Sequence, residues 1–252
     1  MEEQESRKRR IIVTGGAGKI GSYFARYAEN RYAVRVVDKT AWDAEKHGPL
    51  HGESLVSDLQ DLEACRSACE GMDVVIHLAA DGDPDADFMG SLLQNNIVAT
   101  YNMLRAAKEA GCQRFILASS IHAMGAYAPD VQIRPDMPVR PGNLYGVSKA
   151  TGEALAAHFA LNEGLPCIAL RIGAYRYPDE SRRISPKEIN AFLHADDFNH
   201  LLTQCIETPD IQFLIAHAIS DNRYKRLDLT ETRSVLGYQP KADVFEMLER
   251  FT

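Results

Sequence analysis

Short runs of apolar residues recur along the chain and are separated by longer segments with helical spacing. The runs occupy residues 11–14, 33–38, 74–78, 115–118 and 167–172. Because they are apolar at nearly every position, they are typical of strands that are buried on both faces. The helical patterns between and after them cover residues 19–30, 90–110 and 148–162. Strands that alternate with helices predict an α/β fold with a doubly wound parallel sheet.

The rhythm changes after Arg171. Residues 178–183 form a polar stretch, and the next helical pattern begins near Asp196. Roughly 80 residues remain beyond Arg171, which is too few for a second independent core. The sequence therefore predicts a main domain over residues 1–171 and a small C-terminal region over residues 172–252 that caps a cleft.

Composition and charge narrow the kind of partner. The chain has 252 residues, 45% of them hydrophobic, and a net charge of −7 from 28 basic and 35 acidic residues. These values are typical of a globular protein. Nucleic acid is disfavoured because its phosphates require a basic surface, and we expect a small-molecule substrate instead. No run of 18 apolar residues and no export signal is visible, so we predict a cytoplasmic protein with no membrane partner.

The number and placement of the cysteines also favour the cytoplasm. There are five of them, an odd number scattered through apolar segments, which fits a reducing environment better than a disulfide framework. Cys65 and Cys69 are four residues apart on a predicted helix, as two metal ligands can be. No second pair of His or Cys has matching spacing, so we interpret them as small helix residues and predict no metal site.

A glycine cluster lies between the first strand and the first helix. Gly15, Gly18 and Gly21 have G-x-x-G-x-x-G spacing within the sequence TGGAGKIG. Glycine permits the tight turn and lets the backbone approach a pyrophosphate, which then lies at the positive end of the helix that begins near Lys19. The alternative is a glycine-rich turn that binds nothing.

An acidic residue at the end of the second strand favours the interpretation of the glycine cluster as a pyrophosphate-binding loop. Asp38 follows Gly21 by seventeen residues, where a carboxylate accepts hydrogen bonds from ribose hydroxyls and repels a 2′-phosphate. This position favours NAD over NADP, although Arg35 and Lys39 oppose the preference. Residues after later strands extend the cleft: Asp58, Leu59, Leu78, Ala79 and Ala80. For Asp58, capping of a helix is an equally good explanation.

Tyr145 and Lys149 are four residues apart and share one face of a helix. A lysine beside a tyrosine stabilises the phenolate and lowers a pKa that starts near ~10, which suits general acid or base chemistry. Chance produces such pairs too, but Ser119 and Ser120 end a predicted parallel strand, where active-site groups collect.

These motifs together resemble the extended short-chain dehydrogenase/reductase superfamily, in its NAD-dependent epimerase/dehydratase group. The sequences TGGAGKIG, HLAA, NNI, ASS, YGVSK, RIG and HADDF occur in the family's order over nearly the whole chain. The resemblance implies a Rossmann-type NAD domain, with Tyr145 as acid or base, Lys149 lowering its pKa and holding the nicotinamide ribose, and Ser120 polarising the substrate oxygen. The implied cofactor set is Gly15, Gly18, Lys19, Ile20, Gly21, Asp38, Asp58, Leu59, Leu78, Ala79, Ala80, Asn96, Tyr145 and Lys149.

Within that group the chain is most similar to uronate dehydrogenases, which oxidise the C1 hydroxyl of a sugar acid to a lactone. The likeness implies that Ser120 and His122 hold the sugar and that Arg182 pairs with its carboxylate, with Arg183 and Arg176 as alternatives, since a guanidinium donates two hydrogen bonds to a carboxylate. His122 has a second interpretation as a neutral histidine packed at the strand end.

Three departures from the uronate dehydrogenase pattern remove polar groups, at Gly82, Ile121 and Ala174. Each lost hydrogen bond to a sugar is worth on the order of 1 kcal/mol, so the pocket is expected to differ. An epimerase or reductase of another small sugar or carbonyl, and a catalytically silent NAD-binding sensor, remain as alternatives. The presence of the whole Ser, Tyr and Lys set argues against the sensor.

Two further expectations concern the C-terminal half and assembly. Asp196 or Asp197, in HADDF, is expected to cap the following helix rather than to act on the substrate. The apolar faces of residues 92–110 and 150–161 resemble the helices that pair two subunits in this superfamily, which implies a homodimer. The alternative is that either face packs within one chain.

Overall fold

The computed structural model describes residues 7–177, 184–185 and 188–249, with side chains described up to residue 246. The strands are β1 Arg10–Thr14, β2 Ala33–Asp38, β3 Glu53–Val56, β4 Val74–His77, β5 Arg114–Ser120, β6 Cys167–Ile172, β7 Ala174–Arg176, β8 Phe192–His194 and β9 Phe213–Ala218. The α-helices are α1 Lys19–Ala28, α2 Ala44–His47, α3 Leu62–Cys69, α4 Ala99–Glu109, α5 Leu144–Glu163, α6 Ala195–Glu207, α7 Thr230–Leu236 and α8 Val244–Glu249.

Seven strands form one sheet in the order β3-β2-β1-β4-β5-β6-β9, and each neighbouring pair is parallel. Strands β4, β5 and β6 are buried at every position, as their uninterrupted apolar runs predict. Hydrophobic clusters cover both faces of the sheet. The predicted doubly wound Rossmann-type fold is confirmed.

The strand order reverses between β1 and β4, because β2 and β3 lie on one side of β1 and the later strands on the other. Ligands bind in the crevice at the carboxyl ends of the strands at such a point. The glycine cluster follows β1, and residues 78–82 follow β4. The topology therefore brings the predicted cofactor residues to one edge of the sheet.

The region after residue 171 contributes to the sheet as well as to a cap. Strand β9 pairs with β6 in register from Cys167 opposite Phe213 to Ile172 opposite Ala218. The cap consists in part of the two-stranded parallel sheet of β7 and β8. Strand β9 of the main sheet therefore lies beyond residue 171, where the sequence places the end of the main domain.

Local capping explains where several helices begin. Helix α5 begins four residues before the predicted start, because the side chain of Asn143 accepts a hydrogen bond of 2.8 Å from the Gly146 amide. The pattern over residues 90–110 is two joined segments, a π-helical one over Phe88–Val98 and α4.

The cap expected from HADDF is wrong, and of the two interpretations of Asp58 the structure does not support the helix cap. His194 caps α6, since its Nδ1 accepts from the Asp196 amide at 3.2 Å. Asp197 accepts from Ser220 Oγ at 2.6 Å. Asp61, rather than Asp58, caps α3. Across the described residues, no helix has the length and apolar character needed to cross a membrane.

Candidate active site

A cavity of about 850 Å³ lies at the carboxyl ends of the central strands. Its lining includes almost every residue that the sequence assigns to cofactor and chemistry: Gly15, Gly18, Lys19, Ile20, Gly21, Asp38, Asp58, Leu59, Leu78, Ala79, Ala80, Ser120, Tyr145 and Lys149. The glycine loop and the predicted catalytic residues therefore share one cavity. Asn96 and His122 are absent from its wall.

The glycine loop is built for close approach of the backbone. Gly15 has φ +66°, and a Cβ on it would lie 2.7 Å from the amide nitrogen of Ala79. A Cβ on Gly21 would lie 2.3 Å from the carbonyl oxygen of Gly15. The loop thus packs against helix α1 and the end of β4 with no space for side chains. This cradle fits a pyrophosphate held by backbone amides at a helix N-terminus.

Asp38 lies beside this loop at the end of β2. Its Oδ2 accepts from the Ala17 amide at 3.0 Å, and its Oδ1 accepts from the Thr40 amide at 3.1 Å. These bonds hold the carboxylate at the cavity wall, where it can accept from ribose hydroxyls.

The two cations that opposed a preference for NAD both contact acidic or amide groups of the protein. Arg35 forms an ion pair with Glu53 at 2.5 Å. Lys39 lies 3.3 Å from Asp58 Oδ1 and donates to Asn95 Oδ1 at 2.9 Å. Both positive charges are therefore compensated within the protein, which leaves Asp38 to set the preference. The same contact gives Asp58 a role at the cavity, next to Lys39.

Ser120 and Lys149 are buried, with exposures of 6% and 8%. Ser120 ends β5, and Lys149 donates from Nζ to the carbonyl oxygen of Ala118 at 3.0 Å. The same Nζ lies 5.6 Å from the centroid of the Tyr145 ring. Strand β5 and helix α5 thus bring the three predicted catalytic residues to one end of the cavity.

The ionisation of Tyr145 differs from the expectation. Its pKa is raised, because burial disfavours the phenolate and the carboxylate of Asp81 adds to the rise, while hydrogen bonding by Ser120 acts in the opposite direction. Burial also lowers the pKa of Lys149 to about 8. Burial therefore sets the net direction of this shift, and the role of Lys149 in favouring the phenolate stays a prediction. The desolvation of the phenol outweighs the ammonium, which is bonded to a carbonyl.

A buried ion pair supports the catalytic end of the cavity. Arg171 donates from Nε and Nη2 to the two carboxylate oxygens of Glu153, each at 2.9 Å. Ser119 Oγ donates to Glu153 Oε1 at 2.6 Å. Sequence reasoning missed Glu153, although it follows Lys149 by one helical turn. Its place on the same helix face as Lys149, four residues later, was the available signal.

Asn96 lies behind the cavity wall rather than in it. Its Oδ1 accepts from the Asp81 amide at 2.8 Å, and its Nδ2 donates to the carbonyl oxygen of Asp81 and to Ser148 Oγ, each at 3.0 Å. The side chain is 3% exposed. Asn96 therefore positions the residue after the HLAA motif, and all of these bonds are to protein groups.

His122 packs edge-on against Tyr145, with ring centroids 5.4 Å apart. Asn143 Nδ2 lies 3.1 Å from His122 Nδ1, and the other end of that amide is fixed by the cap on α5. Nδ1 is thus the acceptor, and the ring proton lies on Nε2. Burial lowers the pKa of His122. These contacts favour the packed, neutral interpretation of this histidine.

The substrate side of the cavity is formed by the segment after β6. Gly173, Tyr175 and Arg176 line the wall there, and Gly82, on the chain after β4, lines the cavity as well. Tyr177 donates from its hydroxyl to the carbonyl oxygen of Lys19 at 2.6 Å. This bond ties the cap to the first residue of α1. Arg182 and Arg183, which the sequence assigns to the substrate carboxylate, lie outside the described residues.

Several lining residues have no counterpart in the sequence prediction. They lie shortly after the ends of β3, β4 and β6 or on the helix before α4: Ser57, Asp81, Asn95, Gly173 and Tyr175. Their positions after the ends of β3, β4 and β6 were the available signal. Within the described part of the chain, no group of three or more His, Cys, Asp or Glu side chains is arranged to hold a metal ion.

Comparison with known proteins agrees with this geometry. A model of the NAD dependent epimerase/dehydratase family matches residues 11–208. The NAD-dependent glucose-6-phosphate dehydrogenase of Haloferax volcanii is 35% identical over 251 residues, with 92% of each chain covered. The uronate dehydrogenase of Pseudomonas syringae is 30% identical over 234 residues, covering 92% of this chain and 82% of its own.

Among solved structures, a mutant uronate dehydrogenase from Agrobacterium tumefaciens complexed with NAD matches with a TM-score of 0.86 and 28% identity. The match covers 96% of this chain and 88% of that chain. The glycine cradle, the carboxylate of Asp38 and these relatives agree on NAD as the cofactor. The chain belongs to the NAD dependent epimerase/dehydratase family.

Proposed function

We propose that this protein is a dehydrogenase that oxidises the C1 hydroxyl of a small sugar or sugar acid to a lactone. The observation that carries the proposal is the meeting of Ser120, Tyr145 and Lys149 at the end of a cavity whose other end is the glycine loop. The comparisons support the same reaction class, since their matches include dehydrogenases of a sugar phosphate and of uronates.

NAD, when bound, supplies the hydride acceptor and a positively charged nicotinamide. The chain binds its pyrophosphate with the amides after Gly15 and its adenosine ribose with Asp38. The Ser120 hydroxyl holds the substrate oxygen, and Tyr145 takes the proton from the C1 hydroxyl. Lys149, buried beside the phenol ring, favours the phenolate that this transfer requires and holds the nicotinamide ribose.

The test is the appearance of NADH when the purified protein meets NAD and a sugar panel of glucuronate, galacturonate, glucose 6-phosphate, glucose and arabinose. Turnover of any of these supports the proposal. Absence of turnover together with NAD that stays bound through purification contradicts it and points to an epimerase, which regenerates its cofactor within each cycle. NADP in place of NAD is the control for the role of Asp38.

The proposed assembly is a homodimer, with a second copy of the chain against α4 and α5. Tyr101 on α4 and Leu161 on α5 are 42% and 66% exposed, although both helices have large buried faces against the sheet. Apolar side chains on two adjacent helices favour burial by a partner. Light scattering after gel filtration tests this, with Leu161→Asp expected to shift the protein to monomer.

The proposed cellular location of the protein is the cytoplasm. All five cysteines are unpaired and buried, which is typical of proteins kept in a reducing compartment. Fractionation of the source cells, followed by immunodetection, tests the assignment; recovery in an exported fraction contradicts it.

A further inference from the structure

Asp81 places a carboxylate at the catalytic end of the cavity. It follows the HLAA motif after β4 and lines the same cavity as Ser120, Tyr145 and Lys149. Its charge reaches the phenol, since it contributes to the raised pKa of Tyr145. Asp81 is thus close enough to act electrostatically on the groups that we assign to the reaction.

The position of Asp81 is fixed through both its backbone and its side chain. Asn96 accepts from its amide at 2.8 Å and donates to its carbonyl oxygen at 3.0 Å. Oδ1 accepts from the Asp83 amide at 3.0 Å, and Oδ2 accepts from Ser91 Oγ. Asn95 Nδ2 donates to the same Ser91 oxygen at 3.1 Å, so the hydroxyl proton of Ser91 is directed at Asp81. These bonds keep the carboxylate at the cavity wall.

The charged groups on the catalytic and substrate side of the cavity are one ammonium, one carboxylate and one ion pair. The ion pair joins Arg176 to Glu188. Within the described part of the chain, the Lys149 ammonium donates to the carbonyl oxygen of Ala118, and the Asp81 carboxylate accepts from an amide and a hydroxyl. Both of these charges are therefore bonded to neutral groups, and Asp81 supplies the negative one.

The two forms of the cofactor differ in charge at the nicotinamide ring. The ring is positive in NAD and neutral in NADH, whereas the pyrophosphate and both riboses are the same. A hydride can pass only when the ring lies beside the carbon whose hydroxyl proton Tyr145 takes. The positive ring thus enters the part of the cavity where the Lys149 ammonium repels it and the Asp81 carboxylate attracts it.

We propose that Asp81 strengthens the binding of NAD relative to NADH by attracting the positive charge that the reduced ring lacks. The inference rests on the role of Tyr145 in the proposed function, and it does not depend on which sugar is bound. For a dehydrogenase, the preference helps the oxidised cofactor to bind and the reduced cofactor to leave.

The test measures the ratio of the dissociation constants of NAD and NADH, with NADH followed by its fluorescence and NAD by its displacement of bound NADH. Asp81→Asn is expected to weaken NAD binding about 3–10-fold and to change NADH binding by less than about two-fold. Asp85→Asn removes the same charge from an exposed position in the same segment. It is the matched control and is expected to leave the ratio unchanged.

A second pair of variants adds charge instead of removing it. Gly82 lines the cavity next to Asp81, and no atom lies within 4 Å of a Cβ added there. Gly82→Asp is expected to tighten NAD about three-fold or more relative to NADH. Gly82→Asn has nearly the same shape without the charge, so it serves as the neutral control for this pair.

The outcomes separate this inference from the reaction itself. Equal weakening of NAD and NADH in Asp81→Asn, or no weakening of either, overturns the inference. If Asp81→Asn does not fold, the decision passes to Gly82, where equal ratios in the Asp and Asn variants overturn it. Failure of the proposed function looks different, because the parent protein then binds both nucleotides without forming NADH from any sugar of the panel. The effect of Asp81→Asn on the ratio can be measured in that case as well.

Discussion

Arg171 and Glu153 form a two-pronged ion pair that is almost completely buried, with side-chain exposures of 1% and 4%. Arg171 belongs to β6 and Glu153 to α5, while Ser119 of β5 donates to the same carboxylate. Three elements of the site are therefore joined at one charged group. Ser119 is the neighbour of Ser120, and Glu153 follows Lys149 by one helical turn. The pair therefore fixes the distance between β5 and the catalytic helix α5.

Removal of the carboxylate is expected to be costly. Glu153→Gln leaves the charge of Arg171 buried without a counter-ion, and such changes cost about 3–5 kcal/mol. Urea unfolding should show that loss, together with a lower kcat. Glu109→Gln, at the exposed pair with Arg66, is the control and should have a much smaller effect. Equal effects of the two substitutions would mean that the buried pair has no special role.

Tyr145→Phe is expected to reduce kcat by about 10²–10⁴-fold or more, because it removes the group that accepts the substrate proton. NADH affinity, measured by fluorescence titration, should remain close to that of the parent, since the phenyl ring keeps the packing that Tyr145 makes against His122. Substantial residual turnover would remove Tyr145 from the mechanism.

Lys149 imposes a pH dependence on stability. Its pKa falls from 10.5 to about 8 on folding, so between these values the unfolded chain binds more protons. Stability contributed at this position therefore rises with pH through that window, and below pH 8 the full penalty applies.

The matching substitution is Lys149→Met, which removes the buried charge but keeps much of the side-chain volume. It is expected to raise the free energy of unfolding at pH 7 by up to about 3 kcal/mol, less the lost bond to Ala118, and to abolish turnover. Urea unfolding at pH 7, 8 and 9 measures the change in stability and its dependence on pH, and formation of NADH measures turnover. A variant that is less stable at pH 7, or that keeps the parent's slope, contradicts the assignment.

Gly15→Ala tests the close packing of the glycine loop. A Cβ there would meet the Ala79 amide at 2.7 Å in addition to the cost of φ +66°. Gly111→Ala is a matched control, since Gly111 has φ +73° with no atom within 4 Å of an added Cβ. Both variants should lose about 1–2 kcal/mol from the backbone conformation, but only Gly15→Ala should lose NAD affinity. Equal affinities of the two variants for NAD would contradict the prediction, because the loop would then have space for the added Cβ.

The sequence predicts those features that depend on neighbouring residues. Uninterrupted apolar runs identify β4, β5 and β6, because only strands buried on both faces need them. The glycine spacing and Asp38 locate the cofactor end of the cavity, since the strand, turn and helix around them are continuous in the chain. Tyr145 and Lys149 are placed correctly relative to each other by helix geometry alone.

Features that depend on long-range packing are not visible in this way. The direction of the pKa of Tyr145 follows from its burial, which no local pattern encodes. Strand β9 lies far along the chain from its partner β6, so its place in the sheet is set by tertiary contacts. The ion pair between Arg176 and Glu188 joins residues twelve positions apart, and neither residue carries a sequence signal of that meeting.

The hydrogen bond from Tyr177 to the Lys19 carbonyl has a thermodynamic consequence for how the two ligands bind. It joins the backbone that receives the pyrophosphate to the segment that leads from β7 toward residues 178–183. A ligand that shifts the start of α1 therefore also acts on the position of Tyr177, the residue after β7. Because coupling between two binding sites is reciprocal, whatever affinity for sugar is gained from bound NAD must return as an equal gain in affinity for NAD from bound sugar.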